Sequence, residues 1–140
     1  MTPVFIFTVH GSPTTQGSKK VIPLRTGGFS MVEATGDRLK AWRHAINDEA
    51  RKSRADKPML TGPVHVTIDF GMVKPNAAPK RKRTWPIGKR SGDIDKLARA
   101  ALDAMTNVLY EDDAQVVELY VRKDYGDPGA CIVVRAIEEE

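Results

Sequence analysis

The sequence predicts an α+β fold, in which a small mixed sheet of about four to six strands packs against two main helices. Apolar residues alternate from Val64 to Met72, as in a strand with one buried face. From Ile94 to Met105 the apolar residues recur at intervals of three and four, which is typical of one face of a helix. A chain of 140 residues is long enough for a core, so we expect a single domain over residues 1–140.

The N-terminal elements follow from local patterns. Weak alternation predicts a first strand over Val4–His10, and Gly11-Ser12-Pro13 ends it in a turn. Residues 19–24 and 29–33 flank a pair of glycines and are interpreted as a hairpin. The first helix is predicted from Asp37 to about Arg54, with one apolar stripe along it: Leu39, Trp42, Ile46 and Ala50.

The C-terminal elements complete the sheet. Alternation of Val117, Leu119 and Val121 predicts a strand, and after a turn at 126–129 residues 130–137 form the last one. The single cysteine, Cys131, excludes an internal disulfide, and we expect its thiol to be buried.

Residues 74–92 separate the strong strand from the second helix and are predicted to form a basic, mobile loop. Within residues 74–90 there are three prolines, seven lysines and arginines, and no acids. Such a composition cannot pack a core.

The net charge of +4 conceals an asymmetry. Residues 1–92 carry 17 Lys and Arg against 6 Asp and Glu, whereas residues 93–140 carry 5 against 12. A basic surface beside an acidic focus is what a metal-dependent nuclease needs, because phosphates must be attracted while the ion needs anionic ligands. The alternative interpretation is that these charged residues are ordinary solvated side chains with no role in binding DNA or a metal ion.

Four aspartates flank the second helix. Asp93 suits an N-cap, because its carboxylate can accept first-turn N–H groups, whereas Asp95 has no structural task. A residue at the cap can turn toward its neighbour, and carboxylates that share a site repel unless a cation or a proton separates them. With Asp112 and Asp113 folded nearby, the expected cation is a hard one such as Mg²⁺. Asp103 is interpreted as an intrahelical partner of Arg99. Asp69 is interpreted as a solvated strand carboxylate, and membership of the acidic site is the alternative.

The run from Gly92 to Glu118 resembles the signature of the RusA-type Holliday junction resolvases. That signature is Asp-x-Asp-Asn at a helix start, a Lys one turn later, and then Asp-Asp-x-Gln-Val. The resemblance implies a small α+β homodimer that cuts four-way DNA junctions with Mg²⁺, or with Mn²⁺ as a substitute. By position it implies that the metal-binding carboxylates are Asp93, Asp95 and Asp113, with Asp112 as their neighbour.

Two departures from this signature concern the basic residues. Lys96 stands where the family usually has Asn, and Arg99 stands where it has its functional Lys. Arginine can grip a phosphate with two hydrogen bonds but stays protonated, so it cannot exchange a proton as lysine can. Either Arg99 only stabilises charge, or Lys96 has taken over the lysine's role.

Candidate DNA contacts lie in two basic segments. The resemblance places Lys19, Lys20 and Arg25 near DNA, although exposed loop residues of no special function would look the same. The basic loop is expected to deliver cations to phosphates beside the cut. Trp85 could stack on an unpaired base or anchor its loop on the protein. The cations of this loop are Lys80, Arg81, Lys82, Arg83, Lys89 and Arg90.

Two other functions remain open from sequence alone: a metal-dependent nuclease for other branched or single-stranded DNA, and a non-catalytic DNA-binding module. The three histidines show no metal-ligand spacing, which argues against zinc chemistry. No segment approaches the roughly 18 apolar residues of a membrane helix. We therefore expect a cytoplasmic protein. The resemblance to the RusA-type resolvases implies a bacterial host cell and a gene of phage or prophage origin.

Overall fold

The computed structural model describes residues 2–17, 19–33 and 36–138. The sheet of mixed direction and the two helices confirm the predicted α+β class. Single turns of 3₁₀ helix occur at residues 89–91 and 113–115. The main elements of the described residues are β1 (Val4–His10), β2 (Lys19–Pro23), β3 (Phe29–Glu33), α1 (Gly36–Arg54), β4 (Val64–Met72), α2 (Ile94–Met105), β5 (Val116–Tyr125) and β6 (Gly129–Ala136).

The main sheet has the strand order β1-β6-β4-β5. Strand β6 runs antiparallel to both β1 and β4, whereas β4 and β5 are parallel. Parallel neighbours need a crossover connection, and α2 provides it. Strands β2 and β3 pair with each other in a separate two-stranded hairpin.

Both helices contribute apolar side chains to one core with the sheet. The predicted stripe of α1, which includes Trp42 and Ile46, is buried as expected. Helix α2 buries Leu97 and Met105 together with a series of alanines, whose small side chains allow close packing. Ile94 is the exception on the predicted face of α2, because it remains 40% exposed in the first turn of that helix.

Side chains that alternate with this core project from the other face of the main sheet. Cys131 lies on this outer face opposite Thr8, so its thiol is exposed and the prediction of a buried thiol is wrong. The neighbouring residue Ile132 points inward and is buried instead. Asp69 also lies outside, where its carboxylate is 3.1 Å from Arg122 Nε, as expected for a carboxylate outside the acidic site.

The start of β5 is irregular. Val64 pairs with Val116 but His65 pairs with Glu118, so Val117 is an extra residue in a β-bulge. Val117 is 62% exposed, and the simple alternation that the sequence predicts there is interrupted. The bulge follows directly on the turn that carries Asp113.

The basic segment 74–92 lies against the end of β5. Arg83 Nη2 is 2.7 Å from Asp124 Oδ2, and the Tyr125 hydroxyl donates to the carbonyl of Trp85 at 3.2 Å. The amine of Lys123 donates to the carbonyl of Gly92 at 2.6 Å. These contacts hold the segment at three points, and its mobility stays a prediction. None of the described helices combines the length and the apolar character that a membrane span requires.

Candidate active site

One exposed face of α2 carries three charged residues at intervals of four. Asp95, Arg99 and Asp103 follow each other along the helix, so successive members are displaced by only about 40° around its axis. The rise from Asp95 to Asp103 is about 12 Å. Arg99 therefore separates an acidic residue near the start of the helix from one near its end.

The Asp103 end of this face meets Asp113. Partial burial raises the pKa of the Asp113 carboxyl, and the negative charge of Asp103 is the next cause. Asp112 raises the pKa of Asp113 further. The carboxylate of Asp103 accepts a hydrogen bond from Gln16 Nε2. Two carboxyl groups from separate segments thus share one small site, and no cation of the protein separates them in the described part of the chain.

Gln16 reaches this site because its loop lies along α2. Its backbone N–H donates to the carbonyl of Lys96 at 3.1 Å. A Cβ built on Gly92, whose φ is +85°, would lie 2.5 Å from Thr15 Cγ2, so only glycine allows this close approach. The Oε1 atom of Gln16 is buried and has no hydrogen-bond partner among the described residues.

Asp93 stands at the N-cap position of α2, but its carboxylate does not cap the helix. Its backbone carbonyl accepts from the Leu97 N–H at 3.0 Å, which is the first helical hydrogen bond. Its carboxylate is exposed and lies 3.6 Å from the Lys96 amine. The expected side-chain cap is therefore absent, and the charge of Asp93 is available for another purpose.

The Asp-Asp-x-Gln segment has a structural explanation. Asp112 Oδ1 accepts from the Ala114 N–H at 2.9 Å, and Gln115 Oε1 accepts from the Asp112 N–H at 3.1 Å, which together form a capping box. The Gln115 amide also donates to the carbonyls of Leu60 and Gly62. Asp112 and Gln115 therefore fix the turn that presents Asp113. The family resemblance had placed Asp112 beside the metal ligands and implied no structural role for it.

The structure brings some predicted site residues together and separates others. Arg99, Asp103, Asp113 and Gln16 border one open groove of about 940 Å³, which Asp95 does not line. Within residues 2–17, 19–33 and 36–138, no three acidic, histidine or cysteine side chains are grouped closely enough to hold a metal ion.

Two polar residues beside Asp113 in this groove were not assigned to the site from the sequence. Asp103 could have been found, because its spacing of eight from Asp95 and four from Arg99 places all three on one helix face. Instead, the sequence indicated an ion pair with Arg99, which does not occur in the described part of the structure. Gln16 gives no local signal, since it reaches the site from a loop far away in the chain.

The predicted DNA contacts are distributed around the molecule. Lys19, Lys20 and Arg25 are exposed on the hairpin and its turn, and Lys19 also lines the groove. Arg83 stacks its guanidinium 3.5 Å from the centre of the Trp85 ring, which is 54% exposed. The remaining cations of the basic segment are exposed: Lys80, Arg81, Lys82, Lys89 and Arg90.

The carboxyl pair has a consequence for stability that depends on pH. Partial burial and repulsion from Asp103 raise the pKa of Asp113 in the folded protein, so its ionised carboxylate destabilises the fold at neutral pH. This destabilisation disappears as pH falls below the ordinary carboxyl range. Without divalent cations, Asp103→Asn should raise the melting temperature at pH 7 by about 1–2 °C. The gain should shrink toward pH 4, and Asp56→Asn, an exposed acid outside the groove, is the control. A pH-independent gain in a thermal melt would contradict the repulsion between the two carboxyls.

Comparison with known proteins identifies relatives over nearly the whole chain. The chain is 25% identical over 139 residues to the uncharacterized protein YqaN of Bacillus subtilis (strain 168), a match that covers 94% of this chain and 95% of that protein. The profile of the family described as endodeoxyribonuclease RusA matches residues 11–135. That range includes the Gln16 loop, both helices and the turn of Asp113. The chain therefore belongs to the RusA family, whose members are endodeoxyribonucleases that act on Holliday junctions.

Proposed function

We propose that this protein is a Mg²⁺-dependent endodeoxyribonuclease that resolves four-way DNA junctions by paired symmetric nicks. The observation that carries the proposal is the Asp103–Asp113 pair, which meets Arg99 in a groove also lined by several basic residues. Carboxylates that repel each other need a cation, and cationic walls attract the phosphates of DNA. Membership of the RusA family supports the junction as the substrate.

The donor chemistry of the groove suits a hard divalent cation. Mg²⁺ is usually held by one or two carboxylates together with water and substrate phosphates. Asp103 and Asp113 supply two carboxylates, and Gln16 has an unpartnered oxygen in the same groove. Mn²⁺ accepts the same oxygen ligands and is the expected substitute. When bound, the cation would lower the pKa of a water molecule and neutralise the charge that develops on the phosphate.

The basic residues of α2 have different roles in this proposal. Lys96 is held by Asp93 in the first turn, whereas Arg99 lines the groove. Arg99 is therefore the residue that we assign to the non-bridging phosphate oxygens, which a guanidinium can bind with two parallel hydrogen bonds. Lys96 instead reduces the repulsion between Asp93 and an approaching DNA strand.

The positions of the predicted ligands favour a homodimer. Asp93 and Asp95 lie at the start of α2, whereas Asp113 lies beside Asp103 near its end. A two-fold axis perpendicular to α2 would reverse the direction of this helix in the second protomer, so the first turn of one α2 could approach the Asp113 end of the other. We propose that Asp93 and Asp95 of one protomer join Asp113 and the neighbouring Asp103 of its partner around one cation. Two such sites would make two symmetric nicks.

An exposed apolar face on the hairpin formed by β2 and β3 also supports the proposal of a homodimer. Val21 is paired with Met31, and Pro23 with Phe29, on one face of the two strands. Phe29 is 74% exposed and Met31 is 63% exposed. A two-stranded hairpin is only marginally stable alone, and apolar patches of this kind mark interaction surfaces.

Arg99→Lys tests the assignment of the phosphate-binding residue. Loss of the second parallel hydrogen bond should lower the single-turnover cleavage rate about tenfold, which corresponds to about 1.4 kcal/mol. Arg122→Lys, on the outer face of the sheet, should leave the rate unchanged. A faster cleavage rate of the Arg99→Lys variant would show instead that arginine at position 99 lowers the activity of this protein relative to lysine.

The central experiment compares a labelled four-way junction with a linear duplex and with single-stranded DNA, each with and without Mg²⁺. Symmetric nicks in the junction alone, and only with Mg²⁺, are the expected result. Equal cutting of other branched or single-stranded DNA would establish the alternative nuclease activity. Binding without cutting under any metal would indicate a non-catalytic DNA-binding module.

The biological setting is a part of the proposal. A junction resolvase acts in DNA recombination and repair, in the compartment that holds the DNA, which for a bacterial protein is the cytoplasm. The match to a Bacillus subtilis protein agrees with a bacterial host. Encoding by a phage or prophage stays a prediction.

A further inference from the structure

The groove has a second wall, to which no function was assigned from the sequence. Lys40, Arg43, His44 and Asn47 of α1 line the groove on the side that faces Arg99 and the Asp103–Asp113 pair. Their spacings of three, four and seven residues place them on one face of α1. This face is distinct from the buried stripe of the same helix.

Among the described residues, no carboxylate pairs with the cations of this wall. The described lining of the groove includes four lysines and arginines against two aspartates. Across the described ranges, neither Lys40 nor Arg43 forms an ion pair with a carboxylate, although Asp103 and Asp113 border the same groove. The two cations are therefore available to an anionic ligand that enters between the helices.

The wall is also held in a fixed position relative to the acidic pair. Asn47 Nδ2 donates to the carbonyl of Ala104 at 3.1 Å, directly after Asp103 in α2. Arg51 Nε donates to Asn47 Oδ1 at 2.7 Å, which orients that amide. Buried packing of Trp42 and Ile46 supports the same arrangement of α1. Positions 40 and 43 are thus fixed by the fold with respect to Asp103.

We propose that Lys40 and Arg43 bind phosphates of the DNA strand that is cut, on the side of the groove opposite the carboxylates. This inference rests on the proposed nuclease function and adds α1 to the DNA-binding surface. The strand would lie in the groove that the two helices border, with Arg99 and the acidic pair on one side and Lys40 and Arg43 on the other. Lys40 and Arg43 act as positioning residues, since they hold the strand but do not contact the reacting water.

The test uses the full-length double variant Lys40→Ala/Arg43→Ala, with a four-way junction in EDTA at several salt concentrations. Two lost phosphate contacts should reduce the slope of log Kd against log salt by about 1.4 to 1.8. Affinity at fixed low salt should fall by at least about tenfold, because two charge-assisted hydrogen bonds to phosphates are lost. Both side chains are on exposed or half-exposed positions, and a thermal melt checks that the variant is folded.

Two matched variants separate a specific role from a general effect of charge. Lys52→Ala removes a cation of the same helix that already pairs with Asp48 at 3.2 Å and lies outside the groove, so it should keep the wild-type slope. Lys40→Arg/Arg43→Lys keeps both charges and should restore most of the affinity and the slope.

The outcomes distinguish this inference from the function on which it rests. If the wild-type protein neither binds nor cuts the junction, the proposed function fails. If it binds and cuts, but the double alanine variant has the slope and Kd of Lys52→Ala, only the role of α1 is refuted. A double variant that loses affinity without any change of slope would also refute phosphate contact by these two residues.

Discussion

Asp95→Asn is expected to abolish Mg²⁺-dependent cleavage of a four-way junction while junction binding stays intact or becomes tighter. The amide has the shape of the carboxylate but lacks the charge that a hard cation requires. Charge stabilisation by a bound metal is worth several kcal/mol, so cleavage should fall by about a thousandfold or more. Removal of a negative charge near the DNA phosphates should not weaken binding. Gel assays of cleavage and of binding, on the same preparation, measure both effects.

Asp69→Asn is the matched control for this variant. Asp69 is also an exposed aspartate, but it lies on the outer face of the sheet beside Arg122. Its loss should leave cleavage unchanged. Unchanged cleavage by Asp95→Asn would refute the assignment of Asp95 to the metal site.

The second large effect is expected from mixed dimers of two inactive variants. If Asp95 of one protomer and Asp113 of its partner serve one cation, a dimer of an Asp95→Asn chain with an Asp113→Asn chain keeps one intact site and has one doubly mutated site. The two homodimers should be inactive, whereas the mixed dimer should nick one strand of the junction. Mixed dimers are obtained by co-expression of the two chains with different affinity tags and purification over both tags.

The arrangement of the sites determines what the mixed dimer can do. If each site lay within one chain, both sites of the mixed dimer would carry one substitution and no cleavage would return. A mixed dimer of wild-type and Asp95→Asn chains has one intact site under either arrangement and is the positive control. A single nick by that control, with no cleavage by the mixed dimer of Asp95→Asn and Asp113→Asn chains, would refute a site shared between protomers.

Local periodicity explains why most of the fold could be predicted from the sequence. Burial of one face imposes a spacing of two on β4 and spacings of three and four on both helices, and these patterns are visible without a structure. Cys131 was misplaced for a physical reason. Its strand alternates between a face covered by helices and a face that is not, and local pattern does not show which neighbours cover a given face.

The candidate site was predictable only where its residues are close in sequence. The Asp-x-Asp segment and the Asp-Asp-x-Gln turn are local, although the capping role of Asp112 needed coordinates. The contact of Gln16 with Asp103 joins residues 87 positions apart, and the α1 wall depends on the packing of two helices. Such relations come from tertiary structure, to which single-sequence patterns give no access.

Gly92 bears on how this protein can evolve. It packs directly on Thr15, beside the residue that binds Asp103, and its positive φ disfavours any side chain. The basic segment contacts β5 through Arg83, Trp85 and Gly92, so its length can change most easily before Arg83. At Gly92 itself, a single methyl group would clash with Thr15 and push the Gln16 loop away from α2, so we expect homologues to vary in length before position 83 and to retain this glycine.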